Sequence, residues 1–252
     1  MLMTTHYASL MIAYSAAALL WLLFNRFFGN RLWNKPVDYQ PEKPYIDFIF
    51  ASIAILAILG IGQLYINGML LPNKNKLPII DAINQAFIFS PTLILVFLRK
   101  DSLDSIWLPK ANIIIRIGIG LCIAMISLII YWIVRENATP LGKMMLNIYN
   151  PKNISELTQV FMEDITIAMI FVRLSKWIGS SWTIGIVAIL FAAGHIPSMI
   201  ADGYSLAELG SLILDTAIGV VILSVISRSK DVWWFFLVHF TLDMTQYFGS
   251  TL

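Results

Sequence analysis

Charge is what this chain has least of. Only 13% of its 252 residues are Asp, Glu, Lys or Arg, against 58% hydrophobic ones, and the mean hydropathy is +0.77. Soluble domains carry about a quarter charged residues, so an aqueous fold is excluded and a membrane setting takes its place. The 17 basic and 15 acidic residues leave a net charge of +2. The basic ones are scattered through short loops and form no stripe for nucleic acid. Cysteine is nearly absent too. Cys122 stands alone inside the apolar run "IGLCIAMISLIIYWIV", which rules out an internal disulfide, and no histidine in that run would activate it. It reads as a packing residue. Low-complexity tracts, internal repeats and a polar stretch long enough for a soluble domain are also missing, so residues 1–252 read as a single integral membrane domain.

What the chain does have is apolar runs. Eight segments approach the roughly 20 residues that a bilayer core requires, at about 7–25, 46–66, 79–98, 112–134, 155–174, 181–200, 206–226 and 231–249. The fold class expected is all-α: a polytopic integral membrane helix bundle of about eight transmembrane helices. The first segment is not expected to be a cleavable signal peptide, because no Lys or Arg precedes it and its small residues "SAAA" lie inside the apolar stretch. Loop charge suggests an orientation. Arg26, Arg31, Lys35, Lys43, Arg99, Lys100, Lys110, Arg173, Lys176, Arg228 and Lys230 fall on one side, against Lys74, Lys76, Arg135, Lys143 and Lys152 on the other. Cations are retained in the cytoplasm, so both termini are expected outside, and the compact, loop-poor chain suggests a plasma membrane. Trp177, Trp182, Trp233 and Trp234 would then mark the inner interface.

Few ionisable groups remain at membrane depth, where each is costly and by default a functional candidate. The fifth segment carries Glu163 and Asp164 in "VFMEDITIAMIF", the sixth His195 in "FAAGHIPSM", the seventh Asp215 in "LILDTAIG", and the eighth His239 and Asp243 in "FFLVHFTLDM". At 1.5 Å per residue, Glu163 lies roughly 12 Å, His195 roughly 8 Å, Asp243 roughly 9 Å and His239 roughly 15 Å from the outer ends of their segments, so they converge on one level. His239 and Asp243 are four apart and share a helix face, as do Phe191 and His195. Gly194 would let a neighbouring backbone approach, and Pro197 removes a helical N–H beside His195. Asp215 reads equally as a site residue or as a polar contact between helices. The remaining histidine, His6, sits at the N-terminal edge and is expected only to solvate the terminus.

These residues resemble the motifs of the CPBP family of intramembrane proteases, which includes the type 2 CAAX prenyl endopeptidases and bacterial relatives linked to bacteriocin self-immunity. The F-x-x-x-H motif is matched by "FAAGH", Phe191 to His195, and the H-x-x-x-N motif by "HFTLD", His239 to Asp243, with Asp in place of Asn. The E-E-x-x-x-R motif is matched in part by "EDITIA": Asp164 replaces the second glutamate and Ala168 stands where arginine is expected. The similarity covers about residues 155–249.

The resemblance implies peptide-bond hydrolysis in a membrane cavity, on a peptide or protein substrate that is membrane-associated or lipidated, with Glu163, His195, His239 and Asp243 catalytic and Asp164 and Phe191 in support. A buried carboxylate suits Glu163 to take a proton from water and return it to the leaving amine. His195 would hold that water, and His239, oriented by Asp243, would face the carbonyl oxygen. Asp164, lacking a cation at helical spacing, is expected to tolerate Asp164→Asn better than Glu163 tolerates Glu163→Gln. Two histidines and two carboxylates also make an acceptable Zn²⁺ set of Glu163, His195, His239 and Asp243. Two other classes stay open: a proton-coupled transporter relaying through Glu163, Asp215, His239 and Asp243, and a catalytically silent immunity or interaction protein using the same cavity.

Overall fold

The computed structural model describes residues 2–32, 39–135, 139–201, 203 and 208–248. The side chain of Arg31, residue Lys35, the first residues of the 206–226 segment and residue 249 lie outside the described set, as does the side chain of Pro197. Among the described residues every regular element is helical: α1 Leu2–Leu32, α2 Pro44–Ile66, α3 Pro78–Leu98, α4 Ile113–Val134, α5 Leu141–Ile148, α6 Ile154–Ile178, α7 Ser180–Gly194, α8 Ile196–Ala201, α9 Leu212–Ser229, α10 Val232–Asp243 and α11 Thr245–Phe248. Every predicted apolar segment falls on a helix. Five of these, in α1, α2, α3, α4 and α9, are long and apolar enough to cross a membrane. The other three are α6, α7 and α10, the helices that carry the motif residues.

Their shortfall has physical causes. α6 holds Glu156, Glu163, Asp164, Arg173 and Lys176 within 25 residues, too many charges for a lipid-facing span. α7 is only 15 residues long: it stops at Gly194, and a new short helix starts at Ile196, where Pro197 can sit in a first turn that needs no N–H from it. α10 ends after 12 residues at Asp243, with Met244 linking it to α11. The predicted segments 181–200 and 231–249 are therefore each broken in two.

α6 and α10 form the middle of the bundle. α6 packs against α2, α3, α7 and α10, while α10 packs against α4, α6 and α1, and α1 closes the far side against α4 and α9. Two glycines allow the tightest of these crossings. A Cβ on Gly120 would lie 2.5 Å from the Trp234 carbonyl oxygen, so α4 and α10 touch backbone to backbone; one on Gly219 would lie 3.2 Å from Ala188 Cβ, where α9 meets α7. Gly194 has open space around it, so the close approach expected there occurs at Gly120 and Gly219 instead. Trp234 is correspondingly internal, 1% exposed and stacked on Trp21 at 5.6 Å. It belongs to the core and not to the interface. Trp177 and Trp182 are exposed. Cys122 is exposed on the outer surface of α4, so it does not pack inside the bundle.

One end of the bundle is tied by three ion pairs, in each of which at least one partner is buried. Arg99 pairs with Asp47, Arg116 with Asp231, and Arg173 Nη2 with Asp101 Oδ2 at 2.6 Å. Arg173 is not a loop cation: α6 continues past it, and it is 1% exposed. Tyr39 joins two of these pairs by donating its hydroxyl to Asp47 at 2.9 Å beneath the Arg173 guanidinium. Burial and that hydrogen bond hold the Tyr39 hydroxyl above its ordinary pKa, so it stays a donor. Asp231 has a second task, since its side chain accepts from the Trp233 N–H at 2.9 Å and caps α10. Arg116→Met should therefore destabilise the fold by about 3–5 kcal/mol, because Asp231 would remain buried without its cation. Thermal unfolding in detergent measures it.

Candidate active site

At the other end of the bundle the helices part around a cavity of about 440 Å³, within the range of small-molecule and peptide sites. Glu163 and Asp164 from α6, Phe191 and His195 from α7, Asp215 from α9, and His239 and Asp243 from α10 all line it. Ten residues of α6 separate Glu163 from Arg173, about 15 Å of helix, which keeps the acidic site clear of the ion-paired end. The depth convergence expected of the four candidate residues corresponds to a shared cavity. Asp215 is on its wall as well.

Successive residues on a helix point about 100° apart, and the two α6 acids divide accordingly. Glu163 accepts a hydrogen bond from Gln159 Nε2 at 2.8 Å, one turn earlier on the same helix. Asp164 faces α10, where its Oδ1 lies 2.9 Å from His239 Nδ1. A carboxylate accepts, so the His239 proton on this side sits on Nδ1, and Nε2 is the other functional atom of the ring. The ring is held by stacking on Phe235 at 5.5 Å and by the edge of Phe191 at 6.1 Å.

The expected orienter of His239 was Asp243, one turn along the same helix. Instead Asp243 Oδ1 accepts from Gln246 Nε2 at 3.1 Å, across the α10–α11 joint, and Asp164 orients the ring. The Asp164 side chain has a partner on another segment, and its second oxygen, Oδ2, is buried with no hydrogen-bond partner among the described residues. Ala168, at the motif arginine's position, is fully buried in the apolar core and does not reach the cavity.

His195 terminates α7. Its ring Nδ1 is 3.0 Å from the Phe191 carbonyl oxygen, which can only accept. The neutral ring therefore carries its proton on Nδ1 and its lone pair on Nε2. The Phe191 ring meets His195 edge-on at 5.0 Å, so this residue contacts both motif histidines, one through each neighbour on its α7 and α10 sides. Stopping the helix at Gly194 is what frees His195 to turn toward the cavity mouth, where the residue is exposed.

The zinc set is not assembled. Among the described residues, no three His, Cys, Asp or Glu side chains converge as a metal-binding group. As placed, Glu163, His195, His239 and Asp243 do not fit a bound metal.

Sequence reasoning missed two contributors. Gln159 is legible afterwards as the residue four before Glu163, a spacing at which a Gln amide reaches a carboxylate. The other is α1, which brings His6, Tyr7, Leu10 and Tyr14 to the cavity wall. His6 does not solvate the terminus: its Nδ1 lies 2.9 Å from Tyr131 Oη and 2.6 Å from Arg135 Nη1. Nothing in the first segment's hydropathy marks this.

Comparison with known proteins places the cavity-forming stretch. No curated protein and no solved structure matches the chain. Residues 155–245, from the start of α6 to the first residue of α11, match the family described as type II CAAX prenyl endopeptidase Rce1-like. Motifs, helices and family match fall on the same residues: the segment that supplies Glu163, Asp164, His195, His239 and Asp243 is similar to the Rce1-like family and is consistent with a CPBP-type membrane protease.

Proposed function

We propose that this chain is an intramembrane endopeptidase that hydrolyses a peptide bond with a water activated by Glu163 and His195. The reading is carried by one observation: a carboxylate from α6 and a histidine from each of α7 and α10 line a single cavity inside the Rce1-like stretch. Glu163 takes a proton from the water as its oxygen attacks the carbonyl carbon, then delivers it to the amine that leaves. His195 Nε2 accepts from the same water. His239, doubly protonated over Asp164, donates from Nε2 to the carbonyl oxygen as it gains charge. Asp243 shapes the far wall of the cavity through Gln246. The substrate is a peptide or protein segment that reaches the cavity from the bilayer, membrane-associated or lipidated. Its test is cleavage of a lipidated peptide library by the purified chain in proteoliposomes, with the Glu163 variant argued below as the control.

The orientation follows the loop cations, with both termini and the cavity mouth outside and the ion-paired end in the cytoplasm of a plasma-membrane protein. Ser180, exposed at the start of α7, reports it. In a Cys122→Ser background, Ser180→Cys in intact cells should react with a membrane-permeant thiol reagent and resist an impermeant one. Reaction with the impermeant reagent would reverse the orientation.

A further inference from the structure

The three histidines of this chain do not present the same atom to the cavity. His195 and His239 each have Nδ1 against an oxygen that can only accept, the Phe191 carbonyl at 3.0 Å and the Asp164 carboxylate at 2.9 Å. In the neutral state both therefore carry the proton on Nδ1 and turn a lone pair outward at Nε2. His6 is the reverse. Its Nδ1 lies 2.6 Å from Arg135 Nη1, and a guanidinium nitrogen can only donate. Nδ1 must be the acceptor, so the neutral ring keeps its proton on Nε2.

The surroundings hold that state in place. Arg135 also donates to the Tyr131 hydroxyl, and Tyr131 lies 2.9 Å from the same His6 Nδ1 and meets the ring edge-on at 5.9 Å. Tyr131 is fully buried. The three groups close a triangle where α1 meets the C-terminal end of α4, and of the three His6 lines the cavity. A second proton on His6 would have to enter at Nδ1, against a guanidinium already in contact there. In its neutral form His6 is thus an N–H donor at Nε2, in the lining of the cavity that Glu163, Asp164, Asp215 and Asp243 also line.

We infer that His6 is a further catalytic residue, whose Nε2–H donates a hydrogen bond to the carbonyl oxygen of the scissile peptide opposite His239. This rests on the protease reading above. It solves a problem that reading contains: His239 donates from Nε2 only while doubly protonated, whereas His6 donates while neutral. No proton is transferred at His6. The bond to the carbonyl oxygen shortens as that oxygen gains charge and lengthens when the amine leaves, and the ring ends as it began. The residue lies in α1, far outside the family-matched stretch 155–245, so the first helix completes the site and does more than cover it.

The test separates this role from packing. His6→Ala should lower kcat on the order of 10²-fold, the size expected for one oxyanion donor, with KM changed by less than about 3-fold. His6→Gln, whose amide can place an N–H near the same point, should recover at least about 10-fold of that loss. Histidine-selective ¹⁵N spectra of the wild-type chain in detergent should show one neutral ring protonated at Nε2 and not at Nδ1, a signal that His6→Gln removes. Full activity of His6→Ala alongside an inactive Glu163→Gln overturns the inference and leaves the protease reading standing. Equal losses in His6→Ala and His6→Gln also overturn it, because a structural role is not rescued by a donor. A His6 ring protonated at Nδ1 overturns it whether or not any peptide is cleaved. If Glu163→Gln cleaves as fast as wild type, the protease reading itself has failed, and His6 has no carbonyl to serve.

Discussion

Glu163→Gln is expected to abolish peptide cleavage while leaving the fold intact. The substitution keeps the shape of the side chain, and the new amide oxygen can still accept from Gln159 Nε2, which now lies 2.8 Å from Glu163 Oε1. Helix α6 and its contacts with α7 and α10 therefore have no reason to move. The chemistry has every reason to stop. An amide cannot take a proton from water at neutral pH, and it cannot hand one to the departing amine. General acid–base catalysis contributes typically 10²–10⁴-fold at one proton transfer, and here two successive transfers use the same oxygen. A loss on the order of 10⁴-fold or more in kcat follows, with an unfolding midpoint within about 2 °C of wild type. The check is the initial rate of peptide cleavage in proteoliposomes, paired with a melting curve on the same preparation. Wild-type cleavage in Glu163→Gln would remove Glu163 from the reaction and the protease mechanism with it.

The contrast between what sequence revealed and what it withheld lies in the range of the interactions. Eight apolar runs were visible because lipid imposes length and composition on each helix separately. The candidate acids and histidines were visible because an ionisable side chain in such a run is expensive and therefore rare. Their common depth could be estimated because helical rise is constant. Pairing between helices left no such trace. His239 and Asp243 advertise an i, i+4 contact, yet the ring bonds to Asp164, 75 residues away. His6 looks terminal, yet it bonds to Tyr131 and Arg135, 125 and 129 residues on.

The cations tell the same story from the other end of the bundle. Arg173 counted as a charge near an inner surface, and by sequence nothing distinguished it or Arg116 from Lys110 or Lys176. In the fold both are buried and matched to Asp231 and Asp101. The aspartates that match them stand in loops or helix caps, where a carboxylate reads as ordinary surface polarity. The helix breaks were half legible. Pro197 signalled trouble beside His195, but not that α7 would stop at Gly194 and a new helix start at Ile196.

Asp164→Asn is the second decisive variant, and the structure changes what to expect of it. By sequence Asp164 had no cation at helical spacing, and Asp164→Asn was expected to be tolerated better than Glu163→Gln. In the fold its Oδ1 holds His239 Nδ1 at 2.9 Å, with the Asp164 side chain 2% and the His239 side chain 12% exposed. Asparagine can still offer an oxygen to Nδ1–H, so the ring need not turn, and a neutral isostere in a buried site costs little stability. What asparagine cannot do is balance the positive charge that His239 must carry to donate from Nε2. Replacing the carboxylate behind a catalytic imidazole by an amide lowers kcat by about 10⁴-fold in the best-studied triad. A loss on the order of 10²–10⁴-fold is expected here, in kcat and not in KM, since Asp164 sits behind the ring. The motif arginine cannot compensate, because Ala168 occupies its place within the core. A double-mutant cycle supplies the discriminating measurement: Asp164→Asn combined with His239→Ala should be no slower than His239→Ala alone, because the carboxylate acts only through the ring. Additive losses would mean that Asp164 reaches the substrate by its own route, through the Oδ2 that has no partner among the described residues. A wild-type rate for Asp164→Asn would reduce the Asp164–His239 pair to packing and leave His239 a neutral ring whose Nε2 lone pair cannot serve the carbonyl oxygen.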